Sequence, residues 1–229
     1  MMSTEDTKFT FDRSLVAYAL ASGAVASTAS GAIVYSGAQN LSLTSGSGTA
    51  NTLDIDVNGG GTDFTLSFLA HDPAGPTVGS LRIQSSATAA SLATSGNKNV
   101  AAALSAGNSI SSTPSPLQWG MTSQSKLMTE FDATTGAALA DEWGNVSNKY
   151  IGGRMDAGSG QFYYGWIQIS TPSSDAGSVT VHDWAYETTV DQSILAGQTV
   201  SAVPGGGAMA LFSLGASGLG RWRNRKRKG

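Results

Sequence analysis

Along most of this chain apolar residues alternate with polar ones or gather in short runs, and Gly, Asn, Asp and Pro fall between the runs. Period-two patterning of that kind, cut by turn formers, predicts strands rather than helices. Eight segments qualify: residues 32–35, 41–44, 52–57, 64–70, 80–84, 149–155, 162–170 and 178–186. The turns between them include Asn58-Gly59-Gly60-Gly61, Asp72-Pro73-Ala74-Gly75-Pro76 and Asp156-Ala157-Gly158-Ser159-Gly160. The last of these joins residues 151–155 to residues 162–169 as a predicted β-hairpin. No segment carries a strong 3.6-residue apolar period, and residues 99–106 are the one candidate for a short helix. Residues 86–122 are rich in Ser and Ala with weak strand patterning, which predicts long loops. Regular strand–turn spacing without helices predicts an all-β fold, an antiparallel β-sandwich or jelly roll with long Ser/Gly/Ala-rich loops.

The two ends break this pattern. Lys8 and Arg13 precede the apolar run Leu15-Val16-Ala17-Tyr18-Ala19-Leu20-Ala21. Small residues follow in Ala24-Val25-Ala26, Ser27-Thr28-Ala29 and Ser30-Gly31-Ala32. A positive flank, a short apolar stretch and small residues at alternate positions form a secretory signal, with cleavage equally arguable after Ala26, Ala29 or Ala32. At the other end Val203-Pro204-Gly205-Gly206-Gly207 leads into an apolar, Gly-rich stretch to Gly220, then into Arg221-Trp222-Arg223-Asn224-Arg225-Lys226-Arg227-Lys228. The apolar part just reaches the roughly 20 residues that span a bilayer when counted from Val203. Its basic end would stay cytoplasmic. The expected organisation is a signal peptide over residues 1–32, a secreted β-sandwich domain over 33–202, and a C-terminal sorting or anchor segment over 203–229. Each end is expected to form a helix.

The C-terminal pattern resembles the PEP-CTERM sorting signal of bacteria that make extracellular polysaccharide. The family's Pro-Glu-Pro is here Val203-Pro204-Gly205-Gly206. The resemblance implies a membrane sorting protease of the exosortase kind as a partner of the tail. It also implies a protein that is transiently membrane-anchored and then secreted or held at the cell surface.

Composition changes the picture of the middle. Charged residues make up only 13% and cysteine is absent, so disulfides, thiol nucleophiles and thiolate metal sites are excluded. The 13 basic side chains include two in the leader and six in the tail. The remainder, Arg82, Lys98, Lys126, Lys149 and Arg154, face most of the acids, which leaves the middle at about −8. A surface of that sign disfavours nucleic acid as a partner.

Four constellations carry candidate chemistry. In Leu53-Asp54-Ile55-Asp56-Val57-Asn58-Gly59-Gly60-Gly61-Thr62-Asp63, oxygens at alternate positions followed by glycines resemble a calcium loop, so Asp54, Asp56, Asn58 and Asp63 are the candidate metal ligands and calcium the candidate ion. The competing reading is a strand ending in an Asn-Gly turn. His182-Asp183 with Ser170 or Ser178 invites comparison with a Ser-His-Asp triad. Adjacent strand residues point to opposite faces, however, so His182 and Asp183 are not expected to pair. Paired carboxylates at Asp141-Glu142, Glu130 and Asp132 are expected to serve solvation. Tyr164, Trp166, Trp184 and Tyr186 head an aromatic cluster that is either sandwich core, the favoured reading, or an exposed platform stacking on sugar rings.

The second half, from Lys149-Tyr150-Ile151-Gly152-Gly153 through Tyr164-Gly165-Trp166-Ile167-Gln168-Ile169 to Asp183-Trp184-Ala185-Tyr186-Glu187 and Ile194-Leu195-Ala196-Gly197, resembles a module of secreted bacterial proteins without assigned activity. The match runs over about residues 143–198. The expected function is therefore that of an exported cell-surface or extracellular-matrix structural protein, non-enzymatic, that assembles with copies of itself. The alternative is a carbohydrate-binding module for extracellular polysaccharide, assisted by calcium. Hydrolase chemistry ranks third, and no catalytic residue is assigned.

Overall fold

The computed structural model describes residues 31–201 apart from 73, 75–77, 95, 96, 140 and 141. The expected signal helix, the expected C-terminal helix, the sorting motif and Asp141 lie outside the described residues. Within them the chain is all-β and the named sheets are antiparallel. Thirteen strands run in order among the described residues: β1 Ile33–Tyr35, β2 Leu41–Thr44, β3 Asn51–Ile55, β4 Phe64–Leu69, β5 Ser80–Ser85, β6 Ala89–Ala93, β7 Ser109–Ile110, β8 Gln118–Trp119, β9 Ser125–Glu130, β10 Lys149–Gly158, β11 Gln161–Ser170, β12 Ser178–Glu187 and β13 Ile194–Leu195.

The strands form a seven-stranded sheet, a four-stranded sheet and a two-stranded ribbon. The large sheet is ordered β1-β12-β11-β10-β6-β8, with β2 also paired to β12. β1 lies along the end of β12 at Ala185–Glu187, and β2 along its start at Ser178–Val181, so the two share one edge. The smaller sheet is ordered β3-β4-β5-β9, and the ribbon pairs β13 with β7.

The alternation in β4, buried at Phe64, Leu66 and Phe68 and half-buried between, is that of a strand with one apolar face. That face meets Ile83 and Met128 from its own sheet and Ile151, Met155, Ile167, Ile169, Val179 and Val181 from the large one. Two sheets stacked over one core are consistent with a β-sandwich. The large sheet is buried on its other face as well. Tyr150, Tyr164, Trp166 and Ala185 pack there beneath Leu92, Leu104, Ile110, Ile194 and Ala196. Double-sided burial accounts for the continuous buried run from Tyr150 to Gly153 in β10 and from Tyr164 to Ile167 in β11. Two glycines allow close approach on both sides. A Cβ on Gly152 would lie 2.5 Å from Leu92, and one on Gly153 would lie 2.7 Å from the Phe64 ring.

Two expectations are corrected. Residues 99–106 form no helix. They run extended, with bridges from Val100 to Leu127 and from Leu104 to Tyr150, and cover the edge of β9 and the end of β10. Residues 86–122, expected as loops, contain β6, β7 and β8. β6 reads Ala-Ala-Ser-Leu-Ala. Its small side chains give no strand signal, and it is held as a strand by ladder bonds to β10. The predicted hairpin is β10–β11, turning through Gly158 and Gly160, both at positive φ.

Candidate functional site

A break in ladder register lies on β12. β11 and β12 pair in register from Gly165↔Tyr186 to Gln168↔Asp183, then again from Ile169↔Val181 to Ser170↔Thr180. β12 therefore carries an extra residue at His182, a β-bulge. Before the bulge, Val179 and Val181 face the core shared with the small sheet. After it, Trp184 and Tyr186 take that face, so the parity of inward residues switches. His182 and Asp183 both project from the opposite face. The expectation that they point to opposite faces is thus corrected, because it assumed an unbroken pleat. The two still do not bond to each other.

His182 instead joins Ser170. Ser170 Oγ and His182 Nε2 are 2.8 Å apart, and His182 Nδ1 lies 3.4 Å from Asn40 Oδ1. Asn40 belongs to residues 36–40, which connect β1 to β2 past the bulge. That connection is clamped to β12. Gln39 and Asn40 N–H both donate to the His182 carbonyl, at 2.7 and 3.1 Å. Trp184 N–H donates to Ser36 Oγ at 2.9 Å. On the far side of Ser170, Asn148 N–H donates to Ser170 Oγ at 3.0 Å. Asn40 and Asn148 both adopt left-handed backbone, at φ 50° and 54°. Ser170 and His182 are half-buried.

Beside this group Asp183 Oδ2 accepts the Tyr35 hydroxyl at 2.6 Å. That hydrogen bond, more than burial, holds the Tyr35 phenol above its ordinary pKa. Gln168 Nε2 donates to Tyr150 Oη at 2.7 Å, and burial pushes the Tyr150 phenol up. Trp166 lies under both tyrosines, 5.3 Å from Tyr150 edge-on and 6.2 Å from Tyr35. Asp183 Oδ1 is buried without a hydrogen-bond partner.

The aromatic candidates divide between the two faces. Tyr164 and Trp166, each 1% exposed, sit in the outer core, and Trp184 and Tyr186 pack half-buried against the inner one. The four rings form no single platform.

The calcium-loop candidates satisfy their own turn. Asp56 accepts Gly59 and Gly61 N–H at 2.7 and 3.1 Å, and Asn58 Oδ1 accepts Gly60 N–H at 2.8 Å. Asp54 Oδ1 accepts the Thr65 hydroxyl at 2.6 Å. Asp63, 4% exposed, holds Val57 and Asn58 N–H through Oδ2, at 2.9 and 3.3 Å. Burial raises its pKa against those two bonds, which lower it. Asn58, Thr62 and Asp63 line an open cleft of about 470 Å³ with Thr88 and Asp156. Among the described residues no three His, Cys, Asp or Glu side chains converge as metal ligands.

The other histidine, His71, sits at the opposite end of the small sheet. Asp175 Oδ2 accepts its backbone N–H at 2.6 Å and also pairs with Nδ1. Asp132 nearby is held below the usual carboxylate range, first by Thr135 N–H and then by the Thr135 hydroxyl.

The pairing of Ser170 with His182 was among the sequence candidates, but Asn40 was not. No spacing rule links Asn40 to a strand more than a hundred residues away. The bulge did leave a trace in the sequence, since the apolar positions of this strand are 179 and 181, then 184 and 186. No protein-family model, no curated protein and no solved structure matches the chain.

Proposed function

We propose that residues 31–201 form an exported structural domain of β-sandwich architecture, displayed at the cell surface or in the extracellular matrix and tied to the membrane through one corner. One observation carries this reading. Ser201 Oγ donates to the Gly31 carbonyl at 2.6 Å and accepts Ile33 N–H at 3.0 Å. The two ends of the folded domain therefore meet at the β1 edge. A leader ahead of residue 31 and an apolar, basic segment behind residue 201 are joined to the same corner. Either can engage a membrane while the sheets stay intact.

Two features support a structural role. The acidic middle keeps such a domain soluble and repels anionic surfaces. β1 is an edge strand whose Val34 and Tyr35 are 45% and 40% exposed. Ser201 Oγ already takes the Ile33 N–H of this short edge, so a second copy would pack on the exposed Val34 and Tyr35 side chains rather than extend the ladder.

Intact-mass and peptide mapping of the protein from membrane, extracellular and cytoplasmic fractions of its own cells tests the reading. The expected mature form starts at residue 27 or 30, which keeps the Gly31 carbonyl for Ser201, and lacks the basic cluster that follows Gly220. A full-length chain, Met1 to Gly229, confined to the cytoplasm would overturn it.

A further inference from the structure

We infer that the bulge on β12 carries a second function independent of the structural role: Ser170 is a nucleophile for acyl transfer, with His182 as its general base and Asn40 as the residue that positions the imidazole. Hydrogen-bond bookkeeping assigns the protons. With Asn40 Oδ1, an acceptor, turned toward the ring at 3.4 Å, the matching tautomer carries the hydrogen on His182 Nδ1. In the neutral ring Nε2 is then the acceptor. On the other side Asn148 N–H already donates to Ser170 Oγ at 3.0 Å, which occupies one of its lone pairs. The Ser170 hydroxyl hydrogen is free to point at Nε2, 2.8 Å away. The Asn40 end thus sets the arrangement, Ser–OH to Nε2 and Nδ1–H to the amide oxygen, and the Ser170 end accommodates it. That is the protonation state from which a serine attacks, with the base oriented by a third group.

The surroundings hold this geometry. Here both ring nitrogens are engaged, and the His182 carbonyl is pinned by two N–H groups from residues 39 and 40. The bulge aims the ring out of the sheet, and sparsely populated backbone at Asn40 and Asn148 flanks it.

The balanced reaction has two stages. Ser170 Oγ forms a bond to the carbonyl carbon of an ester while its proton passes to His182 Nε2. The carbon–oxygen bond to the alcohol breaks, and the alcohol oxygen leaves with the proton from Nε2. Water then gives its proton to Nε2 and its oxygen to the acyl carbon. The acyl–Oγ bond breaks, and Ser170 recovers the proton. The Asn148 N–H, bonded to Oγ at 3.0 Å, fixes the position of the attacking oxygen. The substrate class is an oxygen ester, whose alcohol leaves with the one proton that Nε2 carries, and the half-buried Oγ is open to a small acyl group.

The test uses the full chain, with p-nitrophenyl acetate as substrate and a fluorophosphonate as covalent probe. Peptide mass spectrometry should place the adduct on Ser170. Ser170→Ala should abolish the adduct while its thermal melt matches that of the parent. His182→Gln should slow labelling by about 100-fold or more. Asn40→Gly, which keeps the left-handed backbone at φ 50°, should lower kcat about 10-fold with KM unchanged, and Asn40→Asp should restore it; parent kcat in Asn40→Gly would overturn the positioning role. A folded parent protein with no adduct on Ser170, or an adduct that persists in Ser170→Ala, overturns the inference. Neither result bears on the mapping of the mature ends.

Discussion

Replacing Lys126 by methionine removes a buried amine while keeping most of its apolar stem. Lys126 lies on β9 opposite Ile83, so its side chain enters the space between the sheets, and the residue is 0% exposed. Its Nζ has no hydrogen-bond partner. Desolvation pushes its pKa down, and no carboxylate opposes that shift. A polar group left unsatisfied in a core costs about 1–3 kcal/mol. The thioether side chain of the variant would recover that amount and still fill the space. For a domain of this size about 1 kcal/mol moves Tm by roughly 2–4 °C. The Lys126→Met variant should therefore melt about 2–12 °C above the parent at pH 7.

The pH dependence follows from the direction of the shift. The native amine binds its proton less tightly than the unfolded lysine, whose pKa is about 10.4. Between those two values the unfolded chain holds more protons, so the parent gains stability as pH rises and loses it as pH falls. The methionine variant lacks this slope. Its advantage should be largest at low pH and shrink toward pH 10. Tryptophan fluorescence, with Trp143 and Trp166 buried as reporters, reads the Tm on heating and the pH dependence in urea unfolding. A variant less stable than the parent by more than about 1 kcal/mol, or an advantage constant from pH 6 to 10, would refute the reasoning, because either means that Nζ is charged and well solvated in the fold.

Gly120 is constrained by the same amine. A Cβ there would fall on Lys126 Nζ, the end of a flexible side chain that can shift, so Gly120→Ala should cost no more than about 1 kcal/mol in urea unfolding. Most of that loss should vanish in a Lys126→Ala background if the clash is the cause. Asp175 ties its loop to the end of β4 through the His71 backbone N–H and imidazole. Asp175→Ala should lower stability by about 1–3 kcal/mol, read by thermal melting. Tyr35 should titrate above its ordinary value in a near-UV titration, and Asp183→Asn should bring it down, since the bond to Asp183 is the main cause of the shift. The stabilisation from that phenol is full below the unfolded value and is lost as pH rises through the native one.

What was legible in the sequence was what burial writes into side-chain type. β4, β5, β10, β11 and β12 carry large apolar residues on at least one face, and each lies where the pattern predicts within a residue or a few. β6, β8 and the ribbon are different. β6 contributes Ala89 to the inner core and Leu92 to the outer one, and alanine serves a crowded interior without announcing a strand. β9 was missed because Lys126 occupies an inward position, where the period demands an apolar residue. The second apolar layer, over the outer face of the large sheet, comes from short segments around residues 102–110 and 194–196. Their partners are distant in sequence, and no local period describes them.

The same limit acts at the candidate site. A period-two rule places His182 and Asp183 on opposite faces only if every residue of β12 pairs with β11, and one unpaired residue reverses that conclusion for everything downstream. Apolar spacing of two, then three, then two across Val179, Val181, Trp184 and Tyr186 is the mark such a residue leaves. A strand buried on one side must keep its apolar set inward on both sides of the extra residue. Bulges of this kind can therefore be read from sequence wherever one face is buried and the inward set is large. What stays hidden is the partner on the neighbouring edge, here Asn40, because the loop that brings it is held by backbone bonds to the His182 carbonyl, and backbone bonds leave no trace in residue identity.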